Sequence, residues 1–404
     1  MKNICLTLCA AMLCMLQATS LLGQSAPDTL RTYIFGHSLI NHELQVNPTP
    51  SNETSVPHWF HLLAAEAGYG YAVSGQYGFL NGHAVNLPPI AQWGFDIVPP
   101  AWNDNVESFA DADFDNILLT PANFAQWQGP AVPYWQDTLS PITATSMLFD
   151  WTMMQEDSLT FYIYENWPDM APYLNNGFPP SASEWTDYNN YLNGSFHDWF
   201  IEYHDSMILR YPNHCVRMIP VGPLISGLVS QSPFDQIAVT TLYEDDAPHG
   251  RPTTYFLAAL ITYMAMYGEP APANYQVPAI IDPIIAANYS AAVSYFWNEL
   301  QNFNDTQGNN RVFCSPPITV GITPEQIIDF PFPYPNPSNG SFMLEGNLEG
   351  FDVEVMDLRG LRLGAGVLNG NRVELGERPD GLYLIRLRDR ETGQSKTHRV
   401  LKQR

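Results

Sequence analysis

Short apolar runs rich in β-forming residues recur along the first three quarters of the chain, at residues 32–35, 70–73, 116–119, 160–164 and 216–221. Each is too short for a helix and bounded by turn residues, so each reads as a strand. Longer patterns of helical spacing lie between them at 56–67 and 184–209, and two more follow the last strand at 253–267 and 283–302. Strands separated by helical crossovers predict an α/β domain: a mostly parallel five-stranded sheet covered on both faces, with functional groups at the carboxyl ends of the strands. Segments 81–111 and 121–141, dense in Pro, Gly, Trp and Asn, then read as loops over that edge, where long loops shape binding sites.

The pattern changes near Phe330. The run Phe330-Pro331-Phe332-Pro333-Tyr334-Pro335-Asn336-Pro337 is a stiff connector that cannot continue a helix or a central strand. Beyond it, 351–356, 371–375, 381–387 and 398–401 are strand-like runs separated by Gly, Asn and Asp turns, which predicts a small all-β sandwich. At the other end, Lys2 precedes a mostly apolar run at 4–16 and a small, polar stretch at 18–26, the order of a secretory signal peptide. No later apolar run reaches the length of a bilayer span, so no transmembrane segment is expected. The expected organisation is a signal peptide at 1–26, an α/β domain at 27–328, a Pro-rich linker at 329–336 and a C-terminal domain at 337–404.

Composition narrows the function. Of 404 residues, 45% are hydrophobic and 14% charged, which excludes a disordered chain. Residues 28–330 hold 31 acidic side chains against five basic ones, whereas 331–404 hold ten and eleven. So acidic a body repels phosphate backbones and anionic lipid, which argues against a nucleic-acid or membrane-surface partner and for a neutral substrate. Cys5, Cys9 and Cys14 fall inside the expected signal, and no Cys follows Gly23 to carry a lipid anchor. Cys215 and Cys314 remain, either paired in an oxidising compartment or as two buried thiols.

Two places carry candidate chemistry. The first strand runs into Gly36-His37-Ser38-Leu39, which puts a serine in a tight turn at the carboxyl edge. Taken alone, Ser38 would be a helix cap. Downstream, Glu244-Asp245-Asp246-Ala247-Pro248-His249 precedes an apolar helix, and an Asp three residues from a His can fix its tautomer and stabilise the imidazolium formed when it takes a serine proton. His58 and His61, with His37 or His42, lack a zinc spacing, and the acids at 244–246 lack a Ca²⁺-loop ladder. Trp93, Trp102, Trp127 and Trp135 lie in the expected edge loops, where rings stack on sugars or, more commonly, join a core.

Paired in this order, Gly-His-Ser-Leu and Asp-x-x-His resemble the first and last blocks of the SGNH (GDSL-like) hydrolases, over residues 30–304. The resemblance implies a flavodoxin-like three-layer SGNH hydrolase fold and a serine ester hydrolase acting on a small-molecule or glycan ester, with no metal or organic cofactor. It implies Ser38 as nucleophile, His249 as general base and acid, and Asp246 as orienting carboxylate. Gly78, with Gly75 as the competing choice, would give a backbone N–H to the oxyanion hole, Asn123 a side-chain donor, and Ser38 its own N–H. Here the chain departs from the family, because Pro121 stands in the usual glycine region and Phe124 follows Asn123. The rival reading is a secreted binding protein on an SGNH-like scaffold without turnover. The C-terminal residues Tyr334-Pro335-Asn336-Pro337, Gly340, 355–360, 381–386 and the basic end at 396–404 resemble the type A sorting domain of the type IX secretion system of Bacteroidota. That implies a partner in the type IX machinery and passage across the outer membrane, to release or to the cell surface.

Overall fold

In the computed structural model the apolar runs become five parallel strands: β1 (Thr29–Gly36), β2 (Gly70–Tyr77), β3 (Asn116–Leu119), β4 (Thr160–Tyr164) and β5 (Cys215–Ile219). They hydrogen-bond in the order β2-β1-β3-β4-β5. This is the flavodoxin-like doubly wound order, whose ligand crevice opens at the carboxyl ends beside β1 and β3. The structure describes residues 29–42, 55–88, 93–122, 128–134, 137–156, 158–314, 331–346, 348–357, 362–363, 368–390 and 395–403. The expected signal peptide lies outside them. The chain divides into two compact units, residues 1–316 and 317–404.

Helices cover both faces of the sheet, which is why its strands read as nearly continuous apolar runs. The helices are α1 (Val56–Ala67), α2 (Leu80–Val85), α3 (Pro141–Met153), α4 (Ala182–Tyr191), α5 (His197–Arg210), α6 (Val221–Val229), α7 (Val239–Leu242), α8 (Pro252–Tyr267), α9 (Pro283–Ala287) and α10 (Tyr289–Asn302). Leu30, Ile34, Val73 and Leu118 pack beneath α1, α6, α8 and α10. Tyr33, Phe35, Ile117 and Leu119 point the other way, beneath α2, α3 and α5. Helix α8 is buried on nearly every side, and Thr262 returns its hydroxyl to Ala258 O at 2.8 Å. Complete burial in a core explains its long apolar run, and among the described residues no helix is long and apolar enough to cross a membrane.

Several expectations shift. The strand expected to reach Val221 stops at Ile219, and Val221 opens α6. The pattern at 184–209 is two helices joined by a π turn, Leu192–Phe196, that opens around Gly194. Asn288 breaks the one at 283–302. Helix α3 was hidden behind loop-like composition, although Ser140 accepting from Thr143 N–H and Pro141 in the first turn are a recognisable start.

The second unit is all β: β6 (Phe332–Tyr334), β7 (Ser341–Glu345), β8 (Phe351–Met356), β9 (Leu368–Asn369), β10 (Arg372–Glu374), β11 (Gly381–Asp389) and β12 (Ser395–Lys402). Antiparallel sheets β6-β7-β10-β9 and β12-β11-β8 share a core of Phe342, Leu344, Val373, Ile385, Leu387 and Val400. Part of the expected linker is therefore an edge strand, since Phe332–Tyr334 pairs with β7. A proline is tolerated there because an edge strand needs no donor on its outer side. Gly340 takes φ +107, and a Cβ there would come within 2.6 Å of the Lys402 side chain, whose ammonium is buried against Arg378 O (2.7 Å) and Asp380 (3.1 Å).

Cys215 and Cys314 form a disulfide, with Cα atoms 6.1 Å apart, that ties the start of β5 to the segment after α10. A loop of this length lowers the entropy of the unfolded chain by roughly 4–5 kcal/mol at 25 °C. Replacing both cysteines by serine is expected to lower the unfolding free energy of the first unit by a few kcal/mol, about 2–5. Urea denaturation followed by tryptophan fluorescence checks this.

Candidate active site

β1 ends at Gly36 and the chain turns at once, with Ile40 N–H donating to His37 O at 2.9 Å. Ser38 is thereby held at the carboxyl edge of a strand flanked by β2 and β3. His37 is buried beneath the turn and its Nδ1 accepts from Leu39 N–H at 3.3 Å. Burial, then the nearby His83 and His249, pushes His37 down to about 3, so its ring is neutral. From the α8 side the Tyr255 hydroxyl donates to Ser38 O at 2.6 Å.

His249 comes from 211 positions downstream and its Nε2 lies 3.0 Å from Ser38 Oγ. Its loop closes on itself: Glu244 N–H donates to His249 O at 2.9 Å, and Tyr243 and Gly250 form an antiparallel bridge. Inside the loop, Asp245 Oδ1 accepts the N–H groups of Ala247 (3.1 Å) and His249 (3.0 Å), while Oδ2 lies 2.7 Å from His249 Nδ1. The carboxylate thus assigns the proton to Nδ1 and leaves Nε2 free to accept from the serine. Burial would raise Asp245, but hydrogen bonds from the His249 side chain and backbone outweigh it, so Asp245 titrates below the usual carboxylate range.

Asp246, the expected partner, is corrected by this arrangement. The residue whose carboxylate bonds N–H groups two and four positions ahead is the one drawn to the ring, and that residue is Asp245. Asp246 instead uses its carbonyl to accept from Met170 and Ala171 N–H, at 2.9 and 3.1 Å. Gly78 is a second correction: its N–H donates to Gly36 O at 2.8 Å, extending the β1–β2 ladder, and is not free for an oxyanion. Its need for glycine is conformational, with φ +155 and the His83 ring 3.3 Å from where a Cβ would stand. Gly75 sits within β2 opposite Ile34, where a Cβ would meet Ile34 O at 2.7 Å. Asn123, Trp127 and Trp135 lie outside the described residues, while Trp93 and Trp102 are buried in the two cores.

Three neighbours were not legible beforehand. The His42 ring stacks on His249 at 3.8 Å between centroids and 9° between planes. Trp167 Nε1 donates to Pro248 O at 2.7 Å, tying the histidine loop to the segment after β4. Phe79 stacks on His37 at 5.4 Å. Contacts between segments this far apart leave no local signal, although Tyr255 falls within the helix expected after the Asp-x-x-His block.

The second unit matches a family model directly: residues 333–403 fit the secretion system C-terminal sorting domain. The tail is that sorting domain. It marks the protein for export by type IX secretion to the cell surface or outside. No curated protein matches the chain in sequence. Among solved structures, a candidate GDSL-like lipase from Parabacteroides merdae ATCC 43184 is 10% identical with a TM-score of 0.36, covering 61% of this chain and 99% of that one. A second structure is 14% identical with a TM-score of 0.31, covering 59% of this chain and 96% of that one.

Outside the sorting domain, a second carboxylate–imidazole pair lies directly after β4. Glu165 is fully buried, with Oε1 2.8 Å and Oε2 3.0 Å from His197 Nδ1. Burial raises Glu165 to about 7 against the pull of His197. Burial would lower His197, but the Glu165 carboxylate beside it wins and the net shift is upward. Both groups hold protons more tightly folded than unfolded, so the stability Glu165 contributes is fully present only below 4.5, its ordinary value, and is lost as pH rises through about 7. The Glu165→Gln variant is expected to match the wild-type urea midpoint near pH ~4 and to exceed it by pH ~8. Comparing the two proteins across pH cancels the neutral, buried His37, His83 and His204, which both proteins share.

Proposed function

We propose that the body is a secreted serine ester hydrolase of the SGNH type, cleaving an ester on a neutral glycan or small molecule. The observation that carries this reading is the continuous chain from Asp245 Oδ2 through His249 to Ser38 Oγ, at 2.7 and 3.0 Å. Ser38 Oγ attacks the ester carbonyl carbon while its proton passes to His249 Nε2. The Asp245 carboxylate stabilises the resulting imidazolium. When the tetrahedral adduct collapses, the C–O bond to the alcohol breaks and the alcohol leaves with that proton. Water then attacks the acyl-serine, His249 takes its proton and returns it to Ser38 Oγ, and the acid is released. Ser38 N–H and the Asn123 side chain are the proposed oxyanion donors, acting on charge that develops only in the adduct. Exposure to extracellular esters follows from the sorting domain.

Ser38→Ala and His249→Ala are each expected to lower kcat for a 4-nitrophenyl ester by roughly 10⁴-fold or more, with the double variant little worse than either. Asp245→Asn is expected to lose about 10²–10⁴-fold, and Asp246→Asn to stay within a few-fold. Unfolding midpoints close to wild type would assign these losses to chemistry. Full activity in Ser38→Ala would end the proposal. The rival, a non-hydrolytic binding protein, draws on the engagement of Gly78 N–H and predicts no burst or turnover with any ester.

The sorting role separates from catalysis. Deleting residues 331–404 is expected to leave ester hydrolysis by the purified body within about twofold while abolishing release or surface display in a host with type IX machinery. Cell fractionation and a turnover assay read the two effects.

A further inference from the structure

At the carboxyl edge a small cavity of about 50 Å³ lies between the segments that follow β2 and β3. Its walls include Phe79, Leu80, Ala122, Leu139 and Ala144. Leu80 and Ala144 belong to the core beneath α2 and α3, so the cavity enters the layer on that face of the sheet. His249 reaches Ser38 on the loop before α8, a helix of the opposite layer. A carbonyl attacked by Ser38 must approach from the side that His249 leaves open. The stacking of Phe79 on His37, the residue before Ser38, joins the cavity wall to the nucleophile turn.

We propose, building on the hydrolase reading, that this cavity receives the acyl group of the ester, and that the acyl group is neutral, apolar and larger than acetyl. Two of its lining residues, Leu80 and Ala144, are buried, at 6% and 1% exposure. A buried apolar wall suits the group that stays bonded to Ser38 after the alcohol has left, whereas the alcohol needs an open path out. A cavity this small holds a short chain of a few carbons, and its mainly apolar lining rewards each added methylene that fits by about fourfold in kcat/KM. Charge selects against anionic acyl groups. Asp137, an exposed carboxylate, stands among the lining residues. The two buried imidazoles nearby, His37 and His83, are held neutral by burial, at about 3 and about 4, and offer no counter-charge.

The test uses the full chain with 4-nitrophenyl acetate, butyrate, benzoate and monosuccinate. Wild type is expected to show kcat/KM about fifteenfold higher for butyrate than for acetate, from two added methylenes, and lowest for monosuccinate. Ala144→Phe, which adds bulk at a buried wall, should cut butyrate and benzoate turnover at least tenfold while acetate stays within about twofold. Leu139→Trp, at a half-buried wall, gives the same comparison if the core variant fails to fold. Asp137→Asn should raise monosuccinate turnover several-fold relative to butyrate. Ser38-dependent acetate hydrolysis without chain-length preference, or equal loss on all esters in the filled variants, overturns the acyl assignment and leaves the hydrolase reading standing. No hydrolysis of any ester overturns both.

Discussion

The Asp245 carboxylate bonds with both oxygens, and the geometry of the carboxyl edge depends on each. Oδ1 gathers the N–H groups of Ala247 and His249 and so curls the loop, and Oδ2 then meets the ring nitrogen that the curl has brought to it. Folding the loop and orienting the imidazole are therefore one event. What this carboxylate cannot supply is the position of the loop as a whole. That comes from Trp167 holding Pro248, from Met170 and Ala171 holding Asp246, and from the burial of α8 immediately downstream. The serine turn is anchored on the same helix through Tyr255. Two catalytic candidates more than 200 residues apart thus share one rigid support.

The parallel sheet was legible in the sequence because burial on both faces leaves an unbroken apolar run, and β3 and β4 fall where those runs do. Ser38 and His249 were legible for a related reason. Each sits next to a long, strongly patterned element, so its place at the edge follows from local order. The choice among Glu244, Asp245 and Asp246 was not legible, since it depends on which carbonyl the N–H groups of Met170 and Ala171 find. Gly78 misled in the same way. A glycine after a strand invites an anion, but the destination of its N–H was set by the end of the β1 ladder.

The charge asymmetry between the two units also has a structural side. The few cations of the body are largely spent inside it. Arg31 donates to the carbonyls of Ala112 and Ala101, Arg217 to the disulfide sulfurs and Asn310 O, and Arg311, 4% exposed, to Asp205 at 2.6 Å. Little positive charge is left to neutralise the surface, so the exterior is more uniformly acidic than the formal count conveys. In the sorting domain, by contrast, cations sit beside acids on the surface, as in Arg390 with Asp352 and Arg372 with Glu374. Such exposed pairs contribute little stability, and their effect is to keep that unit's field short-ranged.

The cross-link between Cys215 and Cys314 also has a mechanical meaning. Any pull applied between the ends of the chain, as when an exported polypeptide is drawn by its tail, runs from Cys215 to Cys314 through the sulfur atoms. The intervening residues, with α6, α8, α10 and the histidine loop, hang from that line as a slack covalent ring. Tension passes them by, and the half of the candidate site that contains Asp245 and His249 is shielded from load that would otherwise peel it from the sheet.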